Sequence, residues 1–271
     1  MTITNAMRSI ITTALVLFLA DIGLGYAGNL HNVVIISIDA LHPNALREAD
    51  IPTLRQLVES GTYTLKGRST DPPKTLIAHT AMFTGMSPEK NGKTDNSWMP
   101  GQGAIEKPTI FNSAKSNKYQ TGYFYSKQKL GYLVNDAIDV HRLSRDNAID
   151  LAEAFIKTPG SHFLFLHVSG LDQVGPEYGW MSPEYLEELS FIDDYLSSLV
   201  ELIKDKQQYL IIITSDHAGH DKIHGSQDPE DYRLPLIICS DAVSVKRYKN
   251  ISFSVVGLKK IIENLLEKDV F

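Results

Sequence analysis

Five continuous apolar runs constrain the fold of this chain more than any other feature of its sequence. The runs cover residues 33–39, 121–126, 162–168, 209–216 and 234–240. Continuous rather than alternating hydrophobicity is typical of strands that are buried on both faces of a sheet. Because segments with helical patterns separate these runs, we predict a doubly wound α/β fold with a mostly parallel sheet flanked by helices.

Six helices are predicted between and after the strands. They cover residues 51–60, 75–84, 108–116, 145–157, 182–203 and 255–268. The helix from residue 182 has the clearest start, because Ser182 supplies a capping hydroxyl and Pro183 suits the first helical position. The glycine- and proline-rich stretch 91–107 is predicted to be a loop at the edge of the sheet.

The N-terminal 27 residues have the pattern of a secretory signal. Arg8 precedes an apolar run over residues 10–20, and the small residues around Ala27 offer a cleavage site before Gly28. We therefore expect an exported protein, periplasmic or extracellular, with residues 28–271 as one catalytic domain. Met7 is an alternative start, which would make residues 1–6 a leader. The alternative to a cleaved signal is an uncleaved membrane anchor, although the apolar run is shorter than the ~20 residues that span a bilayer.

The charge and cysteine content exclude two classes of partner or fold. A net charge of −6 without a basic stripe argues against a nucleic-acid polymer as partner and leaves small phosphorylated molecules open. The single cysteine, Cys239, excludes a disulfide framework and lies in an apolar run, as an inert buried thiol does.

Three of the predicted strands are followed by an aspartate, namely Asp39, Asp172 and Asp216. Ligands of open α/β sheets bind at the carboxyl ends of the strands, so three carboxylates there could share one site. They would repel one another unless a divalent metal bound between them. A single strand-end aspartate has a simpler alternative role in helix capping.

The segment TSDHAGHDKIHG has the highest density of metal-ligand residue types in the chain. It contains Asp216, His217, His220 and His224 within nine residues. Imidazole and carboxylate ligands suit zinc, so we predict that this segment binds a metal. A histidine standing alone would more often be structural.

The residues of several distant segments resemble one protein family. They are IDA at 38–40, PPKTLIAHTAMFTGMSPEKNGKTDN at 72–96, SDHAG at 215–219 and HGSQDPEDYRLPLII at 224–238. These segments resemble the alkaline phosphatase superfamily, most closely its type I phosphodiesterase/nucleotide pyrophosphatase branch. The resemblance implies an alkaline-phosphatase-like α/β core that hydrolyses phosphoric esters with two zinc ions.

The resemblance assigns ligands to both metals. The first zinc would be held by Asp39, Thr75, Asp216 and His217. The second would be held by Asp172, His224 and a histidine four residues after Asp172, but this chain has Pro176 there. Proline has no ligand atom, so the second site is one ligand short. His220 and Glu177 are the nearest substitutes.

Thr75 is the nucleophile that the resemblance implies, with a phosphothreonine intermediate that water hydrolyses. A threonine hydroxyl is a poor nucleophile at neutral pH, and metal coordination is a recognised way to activate it. Thr75 also opens a predicted helix, whose free N–H groups favour phosphate oxygens. In isolation, an ordinary helix-capping threonine would be the simpler interpretation.

Four further polar residues belong to the segments that form the predicted site. Asn96 matches the asparagine that donates a hydrogen bond to a phosphoryl oxygen in the family, with a turn residue as the alternative. Lys127 and Lys129 follow a buried strand and could contact phosphate, or could be solvated. His79, one helical turn after Thr75, is predicted to be structural.

The aromatic residues of the predicted edge loops leave two interpretations open. Trp98, Tyr178 and Trp180 could stack on an aromatic or sugar moiety of a substrate, or pack within their loops.

Three functions fit these residues. The first is hydrolysis of phosphodiesters, pyrophosphates or phosphomonoesters; the second is a catalytically impaired or binding protein on the same fold, because of Pro176; the third is phosphoryl transfer to another acceptor. A sulfatase is disfavoured, because its cysteine- or serine-x-Pro-x-Arg motif is absent near Thr75.

Overall fold

The computed structural model describes residues 30–267. The predicted signal segment 1–27, with its possible leader, lies outside these residues. The strands are β1 Asn32–Ile38, β2 Thr62–Arg68, β3 Gln120–Tyr125, β4 Val140–Leu143, β5 His162–Val168, β6 Tyr209–Thr214, β7 Arg233–Ser240 and β8 Ser252–Ser254.

The helices lie between the strands and after the last of them. They are α1 Ala45–Glu48, α2 Pro52–Ser60, α3 Thr75–Thr84, α4 Pro88–Asn91, α5 Ile110–Ser116, α6 Ala148–Ile156, α7 Leu171–Tyr178, α8 Pro183–Asp205 and α9 Leu258–Leu266. Over residues 30–267, none of these helices combines the length and the apolar character needed to span a membrane.

The strands form one sheet in the order β4-β3-β5-β1-β6-β7-β2-β8. The strands from β4 to β6 are mutually parallel, whereas β7 is antiparallel to both of its neighbours. The predicted doubly wound, mostly parallel sheet is therefore confirmed. With β5 on one side and β6 on the other, β1 lies in the middle of the parallel region, where their carboxyl ends meet.

Alternate residues of the central strands supply two cores, one on each face of the sheet. Val33 and Ile35 pack with residues of α3, α5 and α9, whereas Val34 and Ile36 pack with residues of α2, α6 and α8. All seven residues of β1 are buried. Burial on both faces explains why the sequence shows an unbroken apolar run instead of alternation.

All five predicted strands are present, but three strands were missed. β4 is exposed at all four positions, β2 alternates between buried and exposed residues, and β8 has only three residues. None of them is a continuous apolar run, so the pattern that predicted the central strands does not predict these edge strands. The predicted helices match α2, α3, α5, α6, α8 and α9, and α1, α4 and α7 were not predicted.

Candidate active site

The carboxyl ends of three adjacent strands bring the three predicted aspartates together. The Asp39 N–H donates to the Val168 carbonyl at 2.8 Å, which ties the end of β1 to the end of β5. On the other side, the Ala40 N–H donates to Asp216 Oδ1 at 3.3 Å. Asp172 follows β5 as the second residue of α7. The aspartates therefore share one edge because their strands are neighbours.

Asp39, Asp216 and His217 form a fully buried cluster, which we call the inner group. One ligand atom of each residue lies within 4.8 Å of the others. His217 Nε2 is 3.3 Å from Asp39 Oδ1 and 3.6 Å from Asp216 Oδ2. His217 Nδ1 faces the Ala218 carbonyl at 2.9 Å and donates to it, so Nε2 is the atom directed into the cluster.

Asp172, His224 and the same His217 form a second cluster, which we call the outer group. His224 Nε2 and His217 Nε2 lie 3.5 and 3.6 Å from Asp172 Oδ1. The two imidazole rings are stacked, with centroids 4.7 Å apart and planes 4° from parallel. The outer group is more open, since 15% of the Asp172 side chain and 30% of the His224 side chain are exposed.

Several buried polar atoms of these groups lack a hydrogen-bond partner among the described residues. They are Asp39 Oδ1, Asp172 Oδ1, Asp216 Oδ2 and His217 Nε2. Leaving buried polar atoms unpaired costs free energy, and native structures rarely tolerate it without a function. Carboxylate oxygens and an imidazole nitrogen converging in this way fit a divalent metal such as zinc.

Thr75 is the first residue of α3 and is buried. Lys74 occupies the capping position of α3 and Thr75 is already a helical residue, so the interpretation of Thr75 as an ordinary cap is wrong. Lys127 Nζ lies 3.2 Å from Thr75 Oγ1, and it also contacts Asp39 Oδ2 at 2.6 Å and Asp172 Oδ2 at 2.5 Å. Lys127 therefore links Thr75 to both groups and is not a solvated lysine.

Asn96 lies beside Thr75 at the start of α3. Its Oδ1 accepts from the Leu76 N–H at 2.8 Å, which leaves its amide N–H groups available to an oxygen near the threonine hydroxyl. The local turn is held instead by Asp95, whose Oδ1 accepts from the N–H and hydroxyl of Ser97. The hydrogen bond from the first turn of α3 therefore orients the Asn96 side chain.

Two buried histidines support the inner group from behind. His167 Nε2 lies 2.9 Å from Asp39 Oδ2, and its Nδ1 lies 2.8 Å from Ser126 Oγ. His79 bonds Ser37 Oγ and the Thr75 carbonyl, in agreement with its predicted structural role. His167 was not among the predicted site residues, although a polar residue near the end of a largely apolar strand was a usable signal.

The other predicted residues lie around the two groups. His220 Nδ1 bonds the buried Asp231 at 2.7 Å and is in neither group. Glu177 is exposed and also lies outside both groups. Lys129 is half-buried. Trp180 is buried and its ring centroid lies 5.5 Å from that of His224, whereas Tyr178 is exposed and Trp98 donates to the Gly103 carbonyl.

The electrostatics of the inner group favour opposite charges side by side. Burial alone lowers the pKa of His217, but the carboxylates of Asp216, Asp39 and Asp172 outweigh it and raise that pKa to about 9. Burial likewise opposes charge on Lys127, and the same carboxylates hold its pKa above the ordinary value. Burial and the neighbouring His217 lower the pKa of His224. The three carboxylates therefore favour the charged forms of His217 and Lys127, and without these cations the site would be strongly anionic.

The fold and the position of these residues at the sheet edge define an alkaline-phosphatase-like protein. The model of the family described as type I phosphodiesterase / nucleotide pyrophosphatase matches residues 33–231. The chain belongs to this family, and the predicted resemblance is confirmed.

Curated relatives resemble this chain over part of their length. GPI ethanolamine phosphate transferase 1 of Aspergillus oryzae is 32% identical over 88 residues, which are 31% of this chain and 9% of that protein. Human ectonucleotide pyrophosphatase/phosphodiesterase family member 1 is 24% identical over 193 residues, which are 62% of this chain and 21% of that protein. The chain thus matches less than a quarter of either relative.

Solved structures share the fold at low identity. Mouse ectonucleotide pyrophosphatase/phosphodiesterase 5 has a TM-score of 0.68 at 12% identity, covering 87% of this chain and 95% of that one, and its inactive form was solved with AMP. The C-terminal periplasmic domain of EcEptC from Escherichia coli, in complex with Zn, has a TM-score of 0.66 at 11% identity, covering 89% and 84%. A 2-O GAG sulfatase has a TM-score of 0.69 at 13% identity, covering 89% of this chain and 71% of that one.

Proposed function

We propose that this chain cleaves phosphoric esters through a phosphothreonine on Thr75, with zinc bound by the inner group. One observation carries the proposal: buried ligand atoms without hydrogen-bond partners converge beside a threonine at a helix N-terminus. Asp39, Asp216 and His217 would hold the ion together with the Thr75 oxygen. Bound there, zinc supplies Lewis acidity that makes the threonine hydroxyl easier to deprotonate.

In the first step, Thr75 Oγ1 forms a bond to phosphorus while the bond from phosphorus to the leaving oxygen breaks. The leaving oxygen departs with the electron pair, and it takes up a proton in exchange for the one that the Thr75 hydroxyl releases. The unpaired N–H groups at the start of α3 and the amide N–H groups of Asn96 would donate to the phosphoryl oxygens. Lys127 donates to Thr75 Oγ1 and balances the charge of Asp39 and Asp172.

In the second step, an acceptor oxygen bonds to phosphorus and gives up its proton, while the bond to Thr75 Oγ1 breaks and this oxygen regains a proton, which restores the hydroxyl. With water as the acceptor, the result is hydrolysis of a phosphodiester, pyrophosphate or phosphomonoester. With an alcohol as the acceptor, it is transfer, which the likeness to ethanolamine phosphate transferases supports. The half-buried Lys129 and the more open outer group would border a small phosphorylated substrate, for which AMP in the mouse relative is a precedent.

The proposal includes export and a single catalytic domain. The apolar pattern of residues 10–20 supports a cleaved signal, and the periplasmic domain of EcEptC supports the same compartment. Residues 28–271 would then form the catalytic domain. Pro176 favours one competing function, namely a binding protein on the same fold with impaired catalysis, because it stands where the resemblance implies a histidine ligand of the second metal.

The decisive experiment measures hydrolysis of bis(4-nitrophenyl) phosphate and 4-nitrophenyl phosphate by the zinc-loaded protein. Thr75→Ala should lower kcat by at least about a thousandfold, as expected for loss of a nucleophile, and Thr75→Ser should retain measurable activity. Rapid acid quenching followed by mass spectrometry should find phosphate on Thr75. Adding ethanolamine tests transfer by the appearance of a phosphoester product. Binding of zinc and ester without turnover would favour the binding protein and overturn the hydrolase.

A further inference from the structure

Lys127 Nζ occupies the space between the two groups and is surrounded by oxygen atoms. It lies 2.6 Å from Asp39 Oδ2, 2.5 Å from Asp172 Oδ2 and 3.2 Å from Thr75 Oγ1. An ammonium group has three N–H donors, and each of these oxygens can accept one. The cation thus bridges a carboxylate of the inner group, a carboxylate of the outer group and the nucleophile.

The outer group has too few ligands of its own for zinc. Its cluster contains Asp172, His224 and His217, but His217 is shared with the inner group. His217 Nδ1 donates to the Ala218 carbonyl, so Nε2 is its single free ligand atom and serves one ion. Two ligands are then left, whereas protein zinc sites have three or four.

No other described residue completes the outer group. Pro176 lies in α7 four residues after Asp172, on the same helix face, and has no ligand atom. His220 Nδ1 is hydrogen-bonded to Asp231 Oδ1 at 2.7 Å, and His220 is not part of the outer group. Lys127 is therefore the cation that Asp172 does have within reach.

From this geometry we propose that the Lys127 ammonium takes the place of a second metal ion, so that the active protein binds one zinc. This inference rests on the proposed function. One zinc with Lys127 neutralises the three carboxylates Asp39, Asp172 and Asp216. A second zinc would have to displace the ammonium from Asp172 and would leave excess positive charge in a buried site.

The chemical role of Lys127 follows from its contact with Thr75. In two-metal enzymes the two ions together stabilise the attacking and the leaving oxygens, at which charge develops during displacement. Lys127 donates to Thr75 Oγ1, which gains negative charge when its bond to phosphorus breaks. Its ammonium thus stabilises the threonine oxygen as the leaving group of the second step.

The first arm of the test counts zinc per chain by elemental analysis and isothermal titration calorimetry at micromolar zinc. The wild type should bind one equivalent. Lys127→Met with Pro176→His removes the ammonium and restores a histidine on the face of Asp172, so the double variant should bind two. Lys127→Arg with Pro176→His keeps the charge and should still bind one. Lys129 is a nearby lysine that forms no ion pair within residues 30–267, so the control variant Lys129→Ala should also bind one equivalent of zinc.

The second arm measures turnover in the same variants. Lys127→Met should lower kcat by about a hundredfold, as for loss of one charged donor to a developing oxyanion. Two equivalents in the wild type, with turnover still dependent on Thr75, would overturn the role of Lys127 and leave the proposed function standing. A double variant that binds only one zinc would also overturn it. No zinc in any protein would reject both proposals.

Discussion

The inner and outer groups lie side by side and share His217, yet they differ in completeness and in burial. The side chains of Asp39, Asp216 and His217 are fully buried, and behind Asp39 stands His167. In the outer group, Asp172 and His224 are partly exposed, and α7 has Pro176 four residues after Asp172, where the resemblance predicted a histidine. The outer carboxylate is paired with a lysine instead.

The difference shows that one group of ligand residues can be fully buried and supported while its neighbour is partly exposed and shares a histidine with it. The inner group is held by the ends of the central strands and by its buried supporting histidines, so its geometry is independent of α7. The outer group depends on a helix that follows β5 and on the 215–231 segment. Substitutions should therefore separate the two groups experimentally.

The largest effect is expected at Asp216. Asp216→Ala removes a fully buried carboxylate of the inner group, so we expect loss of bound zinc and a fall in kcat of about a thousandfold, equivalent to about 4 kcal/mol. Zinc content and turnover of bis(4-nitrophenyl) phosphate measure the effect. Asp221→Asn, an exposed position in the same segment, is the matched control. Retention of zinc in Asp216→Ala would break the distinction between the groups.

The next largest effect is a pH dependence of zinc affinity. In the metal-free protein the pKa of His217 is raised to about 9, and zinc needs the unprotonated Nε2. Below pH 9 the ion must displace a proton, so affinity should weaken by about tenfold for each unit that the pH falls. Competition titrations between pH 6.5 and 9 measure the slope. His224→Ala should keep it, because the pKa of His224 is lowered from its ordinary value; a flat profile would contradict the assignment of His217.

A smaller effect is expected from the supporting histidine of the inner group. His167→Ala removes the partner that orients Asp39, and losses of this kind typically weaken metal affinity by about 10- to 100-fold. His162→Ala is the matched control, since His162 is buried in the same strand but bonds Asn32 and Thr158 instead. Equal loss of zinc affinity in both variants would indicate general destabilisation rather than orientation of Asp39.

The smallest effect is expected in the outer group. His224→Ala should leave zinc at one equivalent and lower kcat/KM by about tenfold, the value of one hydrogen bond to a charged group. The imidazole of His224 is partly exposed and would border the substrate under the proposed function, so its loss should affect the substrate more than the metal. If this variant loses zinc as Asp216→Ala does, the two groups are one functional unit.

The sequence predicted the central part of the molecule better than its edges. Its continuous apolar runs correspond to the strands that carry Asp39 and Asp216, because burial on both faces leaves a pattern in consecutive residues. The exposed β4 and the short β8 carry no such pattern. The reversed direction of β7 also escaped prediction, since a buried antiparallel strand and a buried parallel strand can have the same composition.

By itself, the sequence determined the fold class, the family and the types of residue at the strand ends. These follow from local hydrophobicity and from motifs within short segments. The tertiary structure alone decided which atoms meet: that Lys127, 52 residues from Thr75, contacts the nucleophile, and that His167 supports Asp39 across 128 residues. Such contacts depend on the pairing of distant strands and on side-chain direction, and neither leaves a periodic signal in the chain.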